Sequence, residues 1–221
     1  MKNLTLVIPA KEEKESLPQV LNELKKYKLK KIVVLEKKDI YTIKSIRNHN
    51  CTVLFQRKKG YGAALIQGIK KVKTKYFCIF NADGSFQPKE LRTMMNKIKN
   101  EKLDLIFGSR YEKGAGSDDD TLITLVGNYF FSALGKILFK LNISDILYTY
   151  VIGDTVKVIN LNLKEQNFNY CVELPIKANK NNLKISSISS YERPRIGGKK
   201  KVNAFRDGLS ILICMLSLII K

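Results

Sequence analysis

Short apolar runs alternate with amphipathic stretches over the first half of the chain. Five runs of four or five residues have the length and the β-branched or aromatic content of buried strands. They are Leu4–Ile8, Lys31–Leu35, Thr52–Phe55, Tyr76–Phe80 and Leu103–Phe107. Strands that alternate with helical patterns form right-handed βαβ units. The pattern therefore predicts an α/β fold with a mostly parallel central sheet flanked by helices.

The segments between these runs carry apolar residues at helical spacing. Ser16 and Gln19 match a capping box at the start of the first predicted helix,. Tyr41–Arg47 and Gly60–Lys71 predict the second and third helices, and Pro88 suits the first turn of a fourth,. Each predicted helix leads from the end of one strand to the start of the next.

The carboxyl ends of parallel strands meet at one edge of a sheet, where open α/β folds bind their ligands. Five predicted loops would converge there: Pro9–Glu13, Glu36–Asp39, Gln56–Gly62, Asn81–Ser85 and Gly108–Tyr111. Asp83 directly follows a strand, so it is a candidate metal-binding or phosphate-handling carboxylate. An Asp-Gly pair after a strand is also a common plain turn, and spacing alone leaves both interpretations open.

Charge adds a class of partner to this picture. The 221 residues include 40 Lys and Arg against 20 Asp and Glu, a formal charge of +20. Such a field favours polyanions, namely nucleotide diphosphates, anionic lipid surfaces or nucleic acid. Only seven of the 40 are arginines, and base-specific nucleic-acid binding relies on bidentate guanidinium contacts. Nucleic acid is therefore disfavoured as a partner.

Cysteine and histidine narrow the chemistry. The four cysteines have no paired spacing and are typical of buried thiols in a reducing compartment. The single histidine leaves little material for a zinc site or a Ser-His-Asp triad. A metal would therefore rest on oxygen ligands, which indicates Mg²⁺ or Mn²⁺. The first apolar run is too short for a secretory signal, so we expect a cytoplasmic protein.

Two later segments raise the question of a membrane. Thr121–Leu141 is apolar nearly all round, and Leu209–Ile220 is an uncharged apolar run. We assign residues 1–208 to one domain, with 121–141 as an apolar helix, and 209–221 to a short C-terminal helix. Interfacial helices beside the basic stretch Arg193–Arg206 are the preferred interpretation, since such helices combine an apolar face with basic flanks. This places the protein peripherally on the cytoplasmic face of a membrane; core packing and a true span remain alternatives.

Five motifs in order carry a family resemblance: LVIPAKEE, QRKKGYGAAL, FNADGSFQP, FGSRY and YERPRIGGKKK. Together they resemble the family 2 glycosyltransferases of GT-A fold. Within that family the chain is most similar, from Leu4 to Gly208, to polyprenyl-phosphate sugar synthases of the dolichol-phosphate mannose synthase kind. The resemblance implies an inverting transfer of a sugar from a nucleotide-diphosphate sugar to a polyprenyl or dolichyl phosphate at the membrane surface.

The resemblance also implies roles for particular residues. Those expected to bind the donor are Pro9, Lys11, Glu13, Glu36, Gly60, Gly62 and Asn81. Asp83 and Asn81 would hold Mg²⁺ or Mn²⁺, and Asp83, Arg110, Arg195 and Lys201 would be the catalytic set. Their charges suit the reaction, because negative charge develops on the leaving phosphate. An acceptor phosphate is already an anion and needs no strong general base.

Departures from the family pattern keep other interpretations open. Asn81 replaces the first Asp of the metal motif, and Leu35–Lys38 stands where relatives carry two aspartates. The chain could therefore be a catalytically impaired binding or partner subunit, and a basic nucleic-acid-binding protein is a further alternative.

Several residues have more than one interpretation or none. Gly60 and Gly62 fit a tight loop and a helix-packing position as well as phosphate contact. Asp118–Asp120 are more simply helix N-caps than ligands. The sequence gives no role for Asp145, Tyr148, Tyr150 or Glu173, which occupy a DxxYGY-like stretch and a later acidic segment.

Overall fold

The computed structural model describes residues 1–197 and 203–220. The strands of this part are β1 (Leu4–Pro9), β2 (Lys30–Leu35), β3 (Thr52–Phe55), β4 (Tyr76–Ile79), β5 (Leu105–Ser109), β6 (Gly116–Ser117), β7 (Val151–Asp154), β8 (Ile185–Ser189) and β9 (Tyr191–Glu192). Seven of them form a central sheet with the strand order β3-β2-β1-β4-β7-β5-β8, and the two short strands β6 and β9 pair separately.

Helices cover both faces of the large sheet. They are α1 (Ser16–Glu23), α2 (Ile40–Ser45), α3 (Tyr61–Ile69), α4 (Glu90–Asn100), α5 (Leu122–Phe139), α6 (Thr155–Asn160), α7 (Tyr170–Lys180) and α8 (Ala204–Ile220). Alternate strand residues point to opposite faces, so Leu6 and Ile8 pack with α1 and α4 while Val7 packs with α3 and α7. The predicted α/β fold with a sheet flanked by helices is confirmed.

The sheet is mostly parallel, as predicted, with one exception. Strand β7 runs antiparallel between β4 and β5. All five predicted strands are present within two residues of their expected ends, whereas β7 and β8 were not predicted. The insertion of β7 matters for the site, because it brings the segment before it, residues 144–150, to the carboxyl edge of β4 and β5.

Three local predictions were wrong. The residue preceding α1 is Glu15, which makes no side-chain cap; the Ser16 hydroxyl instead donates to the buried Glu13 carboxylate at 2.6 Å. The N-cap of α5 is Thr121, in a capping box with Thr124, so Asp118–Asp120 do not cap it. Pro88 lies two residues before α4 rather than in its first turn.

Helices α5 and α8 pack against each other and against α7 on the outer side of the domain. Helix α8 starts at Ala204, five residues before the apolar run that predicted it. The 18 residues of α5 have a mean hydropathy of 1.5, and 22% of them are buried. Among the described residues α5 is the one helix that is long and apolar enough to cross a membrane, by length and composition alone.

Candidate functional site

A cavity of about 470 Å³ opens at the carboxyl edge of the parallel strands. Its volume falls within the range of about 300–1,000 Å³ that is usual for small-molecule sites. Each of the five predicted loops contributes a wall residue: Pro9, Glu36, Gly60, Asp83 and Arg110. The convergence expected from the strand order is therefore present.

The loop after β1 is fixed by buried polar contacts. Glu13 is 6% exposed and accepts from Ser16, while its own N–H donates to Thr42 at 3.0 Å. Lys11 is exposed and lines the cavity, as do Glu13 and Glu36. Glu36 also contacts the exposed Lys38 at 3.2 Å. These carboxylates and the lysine form the polar end of the cavity.

Gly60 and Gly62 are glycines for reasons of packing. Gly60 has φ +113°, and a Cβ on it would lie 2.2 Å from the Gln166 carbonyl oxygen. A Cβ on Gly62 would lie 2.3 Å from the Glu165 carbonyl oxygen. The structure thus favours the loop and helix-packing interpretation for both, although Gly60 also lines the cavity.

Glu173 positions the segment against which these glycines pack. Its buried carboxylate accepts from the backbone N–H groups of Lys164 and Glu165 at 2.9–3.0 Å and pairs with Lys177 at 2.7 Å. The segment then meets α3 through the Ala63 N–H, which donates to the Gln166 carbonyl. Glu173 therefore acts as a structural anchor for this wall of the cavity.

The side chain of Asn81 is positioned by a hydrogen bond from Tyr61. The Tyr61 hydroxyl donates to Asn81 Oδ1 at 3.1 Å and lies 2.7 Å from the Thr149 hydroxyl. The Tyr61 ring stacks on Phe168 with a centroid distance of 5.4 Å. Burial raises the pKa of Tyr61 well above its ordinary value, so the hydroxyl keeps its proton and remains available as a donor.

Asp83 sits at the bend after β4, and it is 7% exposed. Its Oδ1 accepts from the Ser85 N–H at 3.1 Å and the Ser85 hydroxyl at 2.8 Å. Its Oδ2 lies 3.4 Å from Arg195 Nη1. Gly84 has φ +86°, and a Cβ there would collide with Ile196 at 2.4 Å, so the Asp-Gly bend and the segment around Arg195 are fitted to each other.

Arg110 lies in a cage of three carboxylates. Its Nε and Nη2 donate to the two oxygens of Asp145 at 2.7 and 3.0 Å, and its Nη1 donates to Glu192 at 3.0 Å and Asp120 at 3.5 Å. The guanidinium also lies 4.6 Å from the ring centre of Tyr148. These bonds use four of the five N–H groups that an arginine carries. Arg110 therefore offers far less to a bound phosphate than its motif implies.

Burial and charge act against each other in this cage. Burial lowers the pKa of Arg110, but the neighbouring Asp145 carboxylate more than offsets this and leaves the pKa well above its ordinary value. Burial raises the pKa of Glu192, and Arg110 opposes that shift. The guanidinium is therefore the positive charge that limits the rise in the pKa of Glu192.

One wall of the cavity is apolar. It consists of Leu147, Phe168, Cys171 and Ile211, and Asn128 of α5 lies beside it. Burial raises the pKa of the Cys171 thiol to about 12, so this cysteine behaves as a small apolar side chain. Because Asn128 belongs to α5 and Ile211 to α8, the apolar wall adjoins the two outer helices.

The oxygen ligands predicted for a metal lie together at the cavity. Asn81 and Asp83 both line it, but the described residues contain no group of three or more His, Cys, Asp or Glu side chains that could hold an ion. Mg²⁺ is commonly held by one or two carboxylates together with substrate phosphates. Asp83 with Asn81 fits that kind of site, in which waters or substrate phosphates would supply the remaining ligands. Lys201, the remaining predicted cation, lies outside the described residues.

Sequence reasoning missed the partners of the two arginines. Asp120, Asp145 and Glu192 surround Arg110, and Asp119 binds Arg195 at 3.0 Å. These acids lie 10 to 82 residues from their arginine along the chain, too far for local spacing to connect them. The available signal was the run Asp118–Asp120, whose density of charge exceeds what a helix start needs.

Residues 5–156 match the family model for glycosyl transferase family 2. An uncharacterised glycosyltransferase of Mycobacterium tuberculosis is 25% identical over 210 residues, which cover 95% of this chain and 94% of that protein. The UDP-N-acetylglucosamine–dolichyl-phosphate N-acetylglucosaminyltransferase of Methanococcus voltae is 25% identical over 212 residues, covering 85% of this chain and 84% of that protein.

Solved structures agree on the fold. Glucosyl-3-phosphoglycerate synthase from Mycobacterium tuberculosis in complex with UDP superposes with a TM-score of 0.77 at 12% identity, covering 99% of this chain and 80% of that one. The same enzyme with Mn²⁺, UDP and phosphoglyceric acid gives a TM-score of 0.72 at 13% identity, with coverage of 99% and 78%. It has also been solved with Mg²⁺ and UDP. At such identities the likeness establishes the GT-A fold alone.

Proposed function

We propose that this chain, which belongs to the family 2 glycosyltransferases, transfers a sugar from a nucleotide-diphosphate sugar to a polyprenyl phosphate of the dolichyl type at a membrane surface. The observation that carries the proposal is the cavity itself. Its lining combines the polar end described above, the charged side chains of Asp83 and Arg195, and an apolar wall that adjoins the outer helices. The charged residues suit a diphosphate and the apolar wall a hydrocarbon chain.

The donor is proposed to bind at the polar end. Pro9, Lys11, Glu13 and Glu36 would meet the nucleoside, and the diphosphate would extend toward Asp83. A bound Mg²⁺ or Mn²⁺ at Asp83 and Asn81 would neutralise charge on the diphosphate as it leaves. Family membership supports a nucleotide-sugar donor, and the structures solved with Mn²⁺ or Mg²⁺ and UDP support the use of a metal.

The reaction proposed is a single displacement with inversion. An oxygen of the acceptor phosphate attacks the anomeric carbon while the bond from that carbon to the diphosphate breaks, and the nucleoside diphosphate leaves. Arg195 is placed beside Asp83 to stabilise the departing charge, as fixed cations do in such steps. Arg110 is proposed to support the site by holding Asp120, Asp145 and Glu192 rather than by direct contact.

Two kinds of acceptor are suggested by similar proteins. The relative from Methanococcus voltae is named for transfer to dolichyl phosphate, whereas the superposed synthase is named for phosphoglycerate. The apolar wall favours the lipid, because Leu147, Phe168 and Ile211 offer no polar groups to a small sugar acid. A lipid acceptor also explains why the cavity lies beside the exposed helices.

The outer surface of α5 and α8 is proposed to lie on the membrane. Its exposed apolar side chains include Leu122 (77%), Val126 (61%), Phe205 (82%), Leu209 (62%) and Ile213 (59%). Contiguous apolar surface of this kind marks an interaction site. The other face of α5 is tied to the domain, since Asn128 donates to Tyr111 at 2.7 Å. A helix that packs on the domain with one face and exposes apolar side chains on the other suits the membrane interface better than a transmembrane position.

Basic residues flank this surface. The state of the cysteines supports the proposal of a cytoplasmic location. Arg206 is exposed at the start of α8, and Lys136 lies in the last turn of α5. The four cysteines, all in the described part of the chain, form no disulfide, as is usual in reducing compartments. We therefore propose a peripheral protein on the cytoplasmic face that binds anionic lipid.

A transfer assay tests the activity and the acceptor together. Purified protein would be incubated with labelled UDP-glucose, UDP-N-acetylglucosamine or GDP-mannose, with Mg²⁺ or Mn²⁺, and with dolichyl phosphate, undecaprenyl phosphate or 3-phosphoglycerate. We expect label in the organic phase, and its loss by 100-fold or more in Asp83→Asn. The matched control is Asp118→Asn, which removes an acid that bonds to the exposed Tyr191. Label in phosphoglycerate alone would refute the lipid acceptor.

Vesicle binding tests the membrane surface separately. Protein would be sedimented with vesicles of phosphatidylcholine alone or with one third phosphatidylglycerol. We expect binding to the anionic vesicles, weakened at least fivefold when Phe205 and Leu209 are changed to Ser. The control changes Tyr41 and Val156, which are 74% and 65% exposed elsewhere. Equal losses in both variants, or a dimer in solution that buries this face, would contradict the proposal.

A catalytically impaired subunit remains the second candidate, and one observation favours it. Both oxygens of Asp83 already have protein partners, Ser85 and Arg195, and Asn81 contributes no charge. If the protein binds a nucleotide sugar, seen as a rise in melting temperature, but transfers nothing to any acceptor, this candidate replaces the first.

A further inference from the structure

Arg195 bridges two carboxylates unequally. Its Nε and Nη2 lie 3.0–3.1 Å from the oxygens of Asp119, whereas its Nη1 lies 3.4 Å from Asp83 Oδ2. The three side chains are 25%, 19% and 9% exposed. The guanidinium is thus hydrogen-bonded to Asp119 and makes a longer contact with the less exposed Asp83.

The backbone around Arg195 is held over the Asp83 bend. The Ile196 N–H donates to the Asp83 carbonyl, and the Arg193 N–H donates to the Ser85 carbonyl, both at 2.9 Å. Arg193 is itself anchored by Glu23. The main chain on both sides of Arg195 is therefore fixed, and only its side chain is left to change partner.

A carboxylate as buried as Asp83 is costly without a nearby positive charge. Arg195 provides that charge in the absence of metal. A divalent cation on Asp83 Oδ2 would lie within a few ångströms of Nη1, and two cations so close repel each other. Arg195 must then leave Asp83, which it can do while keeping every bond to Asp119.

We infer that Arg195 is an internal counter-ion of Asp83, that a divalent cation enters by displacing it, and that Asp119 is the positioning residue that receives it. The inference rests on the proposed function only in the role that it gives to Arg195 after displacement. The Nη1 of Arg195 would then face the cavity, where the diphosphate of the donor is proposed to bind. Metal entry and exposure of a phosphate-binding cation become one event.

Binding of Mn²⁺ alone, without nucleotide, tests this by isothermal titration calorimetry or by electron paramagnetic resonance. We expect Arg195→Gln to bind Mn²⁺ up to about fivefold more tightly than the unaltered protein, the scale of a partly exposed charge contact. Asp119→Asn should bind about threefold more weakly, because Asp83 is then the main carboxylate left to Arg195. Arg92→Gln removes an equal charge from an exposed position on α4 and should change nothing.

A double variant, Asp119→Asn with Arg195→Gln, distinguishes a positioning role of Asp119 from direct binding of the metal by Asp119. If Asp119 acts through Arg195, Asp119→Asn should have little effect when Arg195 is already Gln, as a double-mutant cycle reports. An equal loss in both backgrounds would make Asp119 a direct ligand and overturn the inference. Arg195→Lys keeps the positive charge but loses the planar guanidinium that bonds to Asp119 through two nitrogens. Its affinity for Mn²⁺ should lie between those of the unaltered protein and Arg195→Gln. Circular dichroism establishes that each variant is folded.

Failure here is distinguishable from failure of the proposed function. Asp83→Asn should abolish Mn²⁺ binding in every background. If Asp83→Asn abolishes Mn²⁺ binding but Arg195→Gln binds Mn²⁺ no more tightly than the unaltered protein, the counter-ion role of Arg195 is refuted. The proposed metal site at Asp83 is then still supported. If Mn²⁺ binds equally with and without Asp83, or fails to bind even to Arg195→Gln, both are refuted.

Discussion

Replacing Arg110 by Met should destabilise the protein strongly, although its motif marks it as a phosphate ligand. Arg110 neutralises Asp145, Asp120 and Glu192, whose side chains are 0%, 10% and 8% exposed. Methionine fills much of the space but removes the charge. Three largely buried carboxylates then face one another without the cation that their cage encloses.

The size of the effect follows from this burial. Removing one partner of a buried ion pair costs about 3–5 kcal/mol, because the other charge is left uncompensated. Arg193→Met is the matched control, since Arg193 pairs with Glu23 where the side chains are 31% and 36% exposed. A partly exposed pair of this kind contributes about 1 kcal/mol or less. The free energy of unfolding, from urea titration, should therefore fall several times further for Arg110→Met.

The loss should also depend on pH. Burial already raises the pKa of Glu192 against the opposing charge of Arg110, so losing Arg110 raises it further. A carboxyl group whose pKa is raised in the folded state holds a proton that the unfolded chain releases, and stability then falls as pH rises through the folded pKa. The deficit of Arg110→Met should be smaller at pH 5 than at pH 8. A deficit that matches the Arg193→Met control, or that is equal at both pH values, would refute the cage as a source of stability.

Three other predictions concern packing, helix propensity and thiols. Gly62→Ala should lower the melting temperature and weaken nucleotide binding, because its Cβ meets a carbonyl oxygen at 2.3 Å; differential scanning fluorimetry measures both. Gly127→Ala, with open space around its Cβ, should raise the free energy of unfolding by up to about 1 kcal/mol in urea titration, since Ala favours helix. Maleimide at pH 8 should modify the partly exposed Cys51 first, and Cys171, whose pKa is about 12, only on unfolding; mass spectrometry of timed samples reports the order.

The sheet was predictable where a strand's own residues carry the signal. Strands β1, β2 and β4 are mostly apolar, because both faces of the sheet are covered by helices. Strand β8, with the sequence ISSIS, has serine at three of its five positions, and β7, with the sequence VIGD, has only two apolar residues before a Gly-Asp pair. These two are strands because β5 lies between them to pair with. Pairing of that kind depends on the assembled sheet and not on local composition.

The site was predictable in its outline for a related reason. Strand ends locate loops, so Pro9, Glu36, Asn81 and Asp83 could be assigned to one edge before any contact was known. What each side chain does there depends on residues far away in sequence. Gly60 illustrates this, because its neighbour is the carbonyl of Gln166, more than a hundred residues on. No local motif distinguishes that contact from a phosphate loop.

The two arginines show how burial assigns different tasks to similar motifs. Arg110 is 8% exposed and bonded on nearly every N–H group, whereas Arg195 is 25% exposed and has one longer contact, to Asp83. A group that must meet substrate needs a bond it can give up at little cost, and only Arg195 has one. Stability should therefore be the property that depends on Arg110, and phosphate binding the property that depends on Arg195. Of these two arginines, the one beside the proposed metal ligand Asp83 is thus the one less committed to the fold.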